Sequence, residues 1–164
     1  MNTDRIVKTA IVASIYAALT IGLSPLSYGP IQFRLSEVLI LLAFVNSDYI
    51  VGLTIGCLIA NLLGPYGLAD IAFGTFATLV SAYLVNLTPK LIKNKYAIWV
   101  ASLWPVLANA VIVGLMLNIF FKLPLLLCML EVGIGEFGVV TIVGVPLFKL
   151  VLSKYPGFLN FKEA

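Results

Sequence analysis

From Ile6 to Leu152 the chain is a succession of apolar runs, and charge is confined almost wholly to the breaks between them. The first run covers about Ile6 to Leu23 and ends at Ser24-Pro25 and Gly29-Pro30. A short second run, about Leu35 to Val45, stops at Asn46-Ser47-Asp48, and a third, about Tyr49 to Leu63, stops at Gly64-Pro65. The fourth covers about Ile71 to Leu87, closed by Thr88-Pro89 and the basic cluster Lys90, Lys93 and Lys95. The fifth runs from about Tyr96 to Phe121, bounded by Lys122 and Pro124, and the sixth lies within Leu125 to Leu152. Runs of this length and purity suit the hydrocarbon of a bilayer, where a helix satisfies its own backbone polar groups. Composition agrees: a soluble domain carries roughly 25% charged residues, whereas this chain has 10%, against 62% hydrophobic and a mean hydropathy of +1.11.

The predicted fold is therefore all-α: one domain over residues 1–164, an integral membrane bundle of six transmembrane helices with both termini cytoplasmic. The second and third runs are shorter than the ~20 residues of a straight span, so one broken crossing is the competing count. Charge favours six. Arg5, Lys8, Lys90, Lys93, Lys95, Lys149, Lys154 and Lys162 then share the cytoplasmic side, and only Arg34 and Lys122 face out. That is the positive-inside pattern, and five crossings would destroy it. Arg5 and Lys8 before an apolar run also resemble a secretory signal, but further spans follow and the run is long enough to cross, so it reads as a retained first helix.

Residue types that carry other chemistries are missing. With no histidine, no His-based triad or histidine-ligated metal site is expected. No phosphate-binding loop with the Walker spacing occurs, and no nucleophile and base stand at a recognisable spacing. Neither an enzyme nor a resident cofactor or metal is expected. The net charge of +3 is spread over the edges of spans, which is not a nucleic-acid footprint. Cys57 and Cys128 read as small buried hydrophobes.

An ionisable group at mid-membrane costs about 2.5–3.5 kcal/mol on insertion scales, so such groups are functional or paired. Under the six-span topology Arg34 and Glu37 open the second helix from the outer side, Asp70 sits before the fourth, and Glu131 and Glu136 mark the outer half of the sixth. Asn61 and Asn109 fall at the same level. This convergence predicts a pocket between helices. The plainer alternative is mutual satisfaction, with Arg34 and Glu37, three apart, as a simple helix pair. That leaves three carboxylates without an obvious cation and points to a cationic or donor-rich heterocyclic ligand. Tyr28, Phe33, Tyr66 and Phe73 are available to stack on a planar ring, though tyrosines at that level also serve as interface anchors.

Small residues recur every four positions on the first helix: Thr9, Ala13 and Ala17 in one row, Ala10, Ser14 and Ala18 in the next. Such rows let helices approach closely in lipid, within a bundle or between proteins. Gly52, Gly56 and Ala60 repeat the spacing on the third helix, where internal packing is expected.

The stretch from Ser24 to Leu39, "SPLSYGPIQFRLSEVL", with its Gly-Pro-Ile-Gln-Phe-Arg-x-Ser-Glu core, resembles the QueT family of membrane substrate-binding subunits of energy-coupling-factor transporters. The likeness covers nearly the whole chain. It implies six helices, a bacterial or archaeal cell membrane and a ligand taken from outside. It also implies docking on a transmembrane coupling protein that carries two cytoplasmic ATPases. The docking patch of that class, Ala-x-x-x-Ala on the first helix, matches Ala13 and Ala17, with Ala10, Ser14 and Ala18 alongside. The cargo implied is a queuosine precursor, above all 7-aminomethyl-7-deazaguanine (preQ1), with queuine as a variant. The residues suit that cargo: Glu131 or Glu136 for the guanine-type edge and Glu37 or Asp70 for the ammonium. Gln32, Asn61 and Asn109 complete the hydrogen bonds, and Arg34 holds Glu37 or donates to the ring carbonyl. The family motif itself covers only Gln32, Arg34 and Glu37. Other vitamin-like solutes (a purine, thiamine or riboflavin) and a solitary carrier or channel, proton-linked through Glu131 and Glu136, remain as alternatives.

Overall fold

The computed structural model describes residues 3–154, apart from the side chain of Asp4; Lys162 and the extreme termini lie outside the described residues. These residues are helical, with no strand among them. The elements are α1 (Thr3–Gly22), a one-turn α2 (Ser24–Ser27), a 3₁₀ segment (Leu35–Phe44), α3 (Asp48–Leu62), α4 (Gly67–Leu91) and α5 (Ala97–Phe121). The last run is continuous but changes winding: α6 (Leu125–Glu136), a π segment (Phe137–Gly144) and α7 (Val145–Lys154). Four stretches are long and apolar enough to cross a membrane: 5–22, Gly67–Leu91, Ala97–Phe121 and Leu125–Lys154.

The predicted segments recur with differences: the break at Ser24-Pro25 holds the one-turn α2, and α4 begins at Gly67, so Asp70 lies in its first turn rather than in the loop before it. The fourth does not stop at Thr88-Pro89; α4 carries Pro89 inside its last turn. A proline there loses one bond and crowds the carbonyl four residues back, but with only two residues left in the helix few further bonds are disturbed and it reads through. The second is wound as a 3₁₀ helix. Its ten residues at about 2.0 Å rise each reach about 20 Å, against about 15 Å for the same residues in an α-helix.

That stretched segment is the axis of the bundle. None of its residues is exposed, and it packs against α1, α3, α4, α5, the π segment and α7. Ile40, Leu41 and Ala43 are fully buried with Leu53, Val85 and Val139. Short, irregular backbone at membrane depth is tolerated only where protein surrounds it, and here it does. A second apolar cluster joins α4, α5 and α6 through Ala77, Val113, Met116 and Val132. The outward faces are also apolar, with Leu107, Leu126 and Ile142 each more than half exposed, as suits a bundle dissolved in lipid.

Glycines set the closest approaches. A Cβ on Gly52 would lie 2.9 Å from the Thr9 carbonyl oxygen, and one on Gly56 would lie 2.8 Å from that of Ala13. The two pairings advance in step, so α1 and α3 run parallel, with the 3₁₀ segment returning between them. Gly52 and Gly56 thus serve internal packing, as their spacing predicts. On the last run, Gly135 admits the Ile31 backbone and Gly138 the ring of Phe33. The loop holding Gln32 is thereby pressed onto the junction of α6 and the π segment.

Candidate functional site

Seven of the eight predicted site residues are buried. Gln32, Arg34, Glu37, Asn61, Asp70, Asn109 and Glu136 are each no more than 5% exposed. The exception is Glu131, half-buried on α6 one turn from Cys128. Glu136 lies five residues further along, on a different helical face. The cluster is enclosed by protein rather than open to one side.

Arg34, the residue before the 3₁₀ segment, is fully engaged. Its Nη2 donates to Asp70 Oδ2 (2.8 Å), Nη1 to Asn61 Oδ1 (3.2 Å) and Nε to the Ser27 carbonyl (3.3 Å). Its guanidinium carbon also sits 5.4 Å from the centroid of the Tyr28 ring. The Arg34–Glu37 helix pair, the plainer alternative, does not form, and the inference that Asp70 lacks a cation is corrected: Asp70 is Arg34's partner from 36 residues away. Local spacing misleads here because the chain bends at Arg34, which is extended backbone rather than the first turn of a helix. Asn61 completes the clasp by donating from Nδ2 to the Asp70 carbonyl (3.0 Å). Gly74 makes room for it, since a Cβ there would strike both Asp70 and Asn61.

Glu37 has different partners. The Tyr16 hydroxyl of α1 donates to its Oε1, and Thr78 of α4 donates to the same oxygen (3.4 Å). Thr20 and Ser36 share a hydrogen bond (2.6 Å) beside it. Glu136 lies within electrostatic reach of both Glu37 and Arg34. Cys57 accepts from Asn61 and Thr78 at the centre of the group, and Cys57 and Cys128 are buried free thiols. Among the described residues no cluster of three or more His, Cys, Asp or Glu is arranged to hold a metal ion.

Tyr16, Thr78, Thr20 and Ser36 were not singled out in the sequence. Only Tyr16 left a signal, as a tyrosine in mid-span, far from the interfaces where tyrosine usually sits; a buried phenol needs a partner.

Buried side-chain atoms without a hydrogen-bond partner concentrate in this cluster. Among the described residues they are Gln32 Nε2, Glu37 Oε2, Asp70 Oδ1, Asn109 Nδ2 and Glu136 Oε2, with the hydroxyls of Ser27 and Ser81. Each such atom costs about 1–3 kcal/mol unless something satisfies it, so proteins keep few without a reason. The set offers carboxylate acceptors and amide donors within one enclosed region, which is the equipment for a ligand carrying both donors and acceptors.

The candidate stacking aromatics Tyr28, Tyr66 and Phe73 already have ring partners. Tyr28 meets Tyr66 edge-on (6.5 Å), Tyr66 meets Phe121 (5.4 Å) and Phe73 meets Phe120 (5.7 Å). Tyr28 donates to the Ala60 carbonyl (2.6 Å) and Tyr66 to the Tyr28 carbonyl (2.9 Å), fastening the loops that cover Arg34. Partial burial pushes the pKa of both phenols up, so both stay protonated donors. An open cleft of about 400 Å³, lined by Ser24, Pro25, Tyr28, Leu63, Gly64 and Pro65, lies over this cover. Tyr28 and Gly64 link the cleft to the cluster, Tyr28 through Arg34 and Gly64 by donating its backbone N–H to the Asn61 carbonyl (3.2 Å).

An all-helical bundle with an apolar exterior and charged residues gathered inside defines a multi-pass membrane protein. The chain belongs to the QueT transporter family, whose profile matches residues 6–153. It is also 51% identical over 81 residues to the queuosine precursor transporter QueT of Lactococcus lactis subsp. cremoris (strain MG1363). That alignment covers 48% of this chain and 47% of the relative, so the match spans about half the relative's length. No solved structure matches.

Proposed function

We propose that this protein is the membrane-embedded substrate-binding subunit of an energy-coupling-factor importer, capturing preQ1 from outside the cell. It has no catalytic activity of its own and depends on a transmembrane coupling subunit with two ATPases. Six crossings with both termini inside, over a single domain, fit the parallel course of α1 and α3 around the returning 3₁₀ segment. They also fit the eight-to-two division of basic residues.

One observation carries the choice of cargo. Arg34 is committed to Asp70, and Glu37 and Glu136 remain buried, each with an unpartnered Oε2 and no cation paired to it among the described residues. Two such carboxylates favour a ligand bearing an ammonium and a row of N–H donors, as preQ1 does. Glu136, rather than the half-buried Glu131, takes the guanine-type edge, and Glu37, rather than Asp70, faces the ammonium. Gln32 and Asn109 supply amide donors, while Arg34 and Asn61 hold the frame. Calorimetric titration of the purified protein with preQ1, queuine and guanine tests this. Tight binding of preQ1 is expected, and no binding of any of the three would overturn the assignment.

Docking falls on a different row from the Ala13 and Ala17 pair that the motif suggests. Those two are 5% and 6% exposed, buried against α3, whereas Ala10, Ser14 and Ala18 are exposed beside Val7, Ile11 and Ile15. Ser14 spends its hydroxyl on the Ala10 carbonyl (2.8 Å), so the row presents a small, smooth surface. Replacing Ala10 and Ala18 with leucine is expected to abolish ATP-driven uptake by the reconstituted complex while ligand affinity stays within about two-fold. Undiminished uptake by that variant would remove the docking role from this face.

A further inference from the structure

We infer that Tyr16 is a positioning residue for ligand recognition: its hydroxyl occupies one oxygen of Glu37 so that the other is aimed at the cationic group of the ligand. The inference rests on the proposed binding of an ammonium-bearing heterocycle by Glu37.

Tyr16 is fully buried, and a purely packing role there would be filled as well by phenylalanine. Its hydroxyl instead donates to Glu37 Oε1, a charge-assisted bond when the carboxylate is ionised. Thr78 Oγ1 of α4 lies 3.4 Å from the same oxygen and shares its single proton between it and Cys57 Sγ (3.2 Å), a weaker second donor. Both protein donors thus fall on Oε1, and Oε2 has none. A carboxylate saturated on one side is fixed in rotation, and its free lone pairs point one way.

The backbone around Tyr16 is held to the same end. Gly56 of α3 leaves just enough space for the Tyr16 Cβ, which fixes how far the ring reaches toward the axis. One turn on, Thr20 accepts its place by donating to the Tyr16 carbonyl (2.9 Å) and bonds Ser36, the neighbour of Glu37 (2.6 Å). Two contacts from one face of α1 therefore grip two adjacent residues of the 3₁₀ segment. Affinity gained through Glu37 depends on a helix that does not itself reach the ligand.

The test compares wild type, Y16F, E37Q and Y16F/E37Q by calorimetric titration, with preQ1 and with 7-deazaguanine, which lacks the aminomethyl group. Y16F is expected to weaken preQ1 roughly ten-fold, the range of a hydrogen bond to a charged group, while 7-deazaguanine changes less than about two-fold. In the E37Q background, adding Y16F is expected to have no further effect on preQ1. Equal weakening of both ligands would mark a general packing role and overturn the inference, as would full additivity in the double variant. If Y16F does not fold, T78V removes the second donor to the same oxygen. A selective loss for preQ1 supports the inference, and an unselective one refutes it. Wild type that is folded yet binds neither ligand would instead defeat the proposed function, and this inference with it.

Discussion

Removing Arg34 alone should destabilise the protein more than removing Arg34 and Asp70 together. The pair is 4% and 0% exposed at its side chains, with a 2.8 Å contact, so each charge depends on the other. Breaking a buried pair by removing one partner typically costs about 3–5 kcal/mol, because an uncompensated charge stays behind. R34M would strand Asp70 in a region that already holds Glu37 and Glu136, three carboxylates with no cation between them. D70L would leave Arg34 with Glu37 and Glu136 still within its electrostatic reach, so its loss is expected to be the smaller. R34M/D70L replaces both charges by apolar groups, and such exchanges in buried sites are often neutral or stabilising. The measurement is equilibrium unfolding of the purified protein in mild detergent, for both single variants and the double. The expected result is a large loss for R34M, a smaller one for D70L, and a double variant that recovers most of the R34M loss. A double variant as unstable as the two losses added together would show that the charges do not depend on one another. The clasp also involves Asn61 and the Ser27 carbonyl, so recovery is expected to be incomplete.

What the sequence made legible follows from which forces act locally. Breaks such as Gly64-Pro65 and Lys122-Pro124 are local backbone chemistry; α3 and α5 begin and end, and the last run begins, within a residue or two of where those signals place them. The 3₁₀ winding of Leu35–Phe44 is not local. Its residues are ordinary helix formers, and the stretch arises because ten residues must traverse a bundle built by longer neighbours. Pro89 shows the same limit, since a proline in a last turn and one just past a helix end leave the same trace in sequence. In the site, buried polar residues were found by type, because an ionisable group in an apolar run is conspicuous. Their pairing was hidden. Arg34 and Glu37 are three apart, yet Arg34 reaches Asp70, because partner choice depends on how α4 enters the bundle. Tyr16 passed as one more aromatic in a greasy run. On α1 the four-residue period shows two small rows, but nothing in the period says which row α3 covers; only Gly52 and Gly56, pressed on Thr9 and Ala13, decide that.

Glu136→Gln is expected to lose ligand and gain stability at once. Glu136 is 3% exposed, lies where α6 gives way to the π segment, and shares its surroundings with Glu37 while Arg34 is engaged elsewhere. Nothing among the described residues donates to its Oε2. An ionisable acid buried there without a partner for its Oε2 is a standing cost to the fold, and an amide of nearly the same shape replaces it without opening a cavity. The same change replaces one acceptor oxygen with a donor that would face the N–H row of a guanine-type edge. A site built to pair with a ligand's polar groups rejects a mismatch strongly, because both sides are left buried and unpaired. A loss of about 100-fold in preQ1 affinity, or about 2.8 kcal/mol, is the expected size. Thermal unfolding of the ligand-free variant should move upward, and titration should show the loss in the same preparation. Opposite signs in the two measurements are what separates a binding residue from a structural one, since a residue held for packing alone would lower both. If the variant binds preQ1 as wild type does, Glu136 is not the guanine-edge acceptor. If it unfolds more easily without ligand, its carboxylate supports the fold through partners that the buried cluster does not contain.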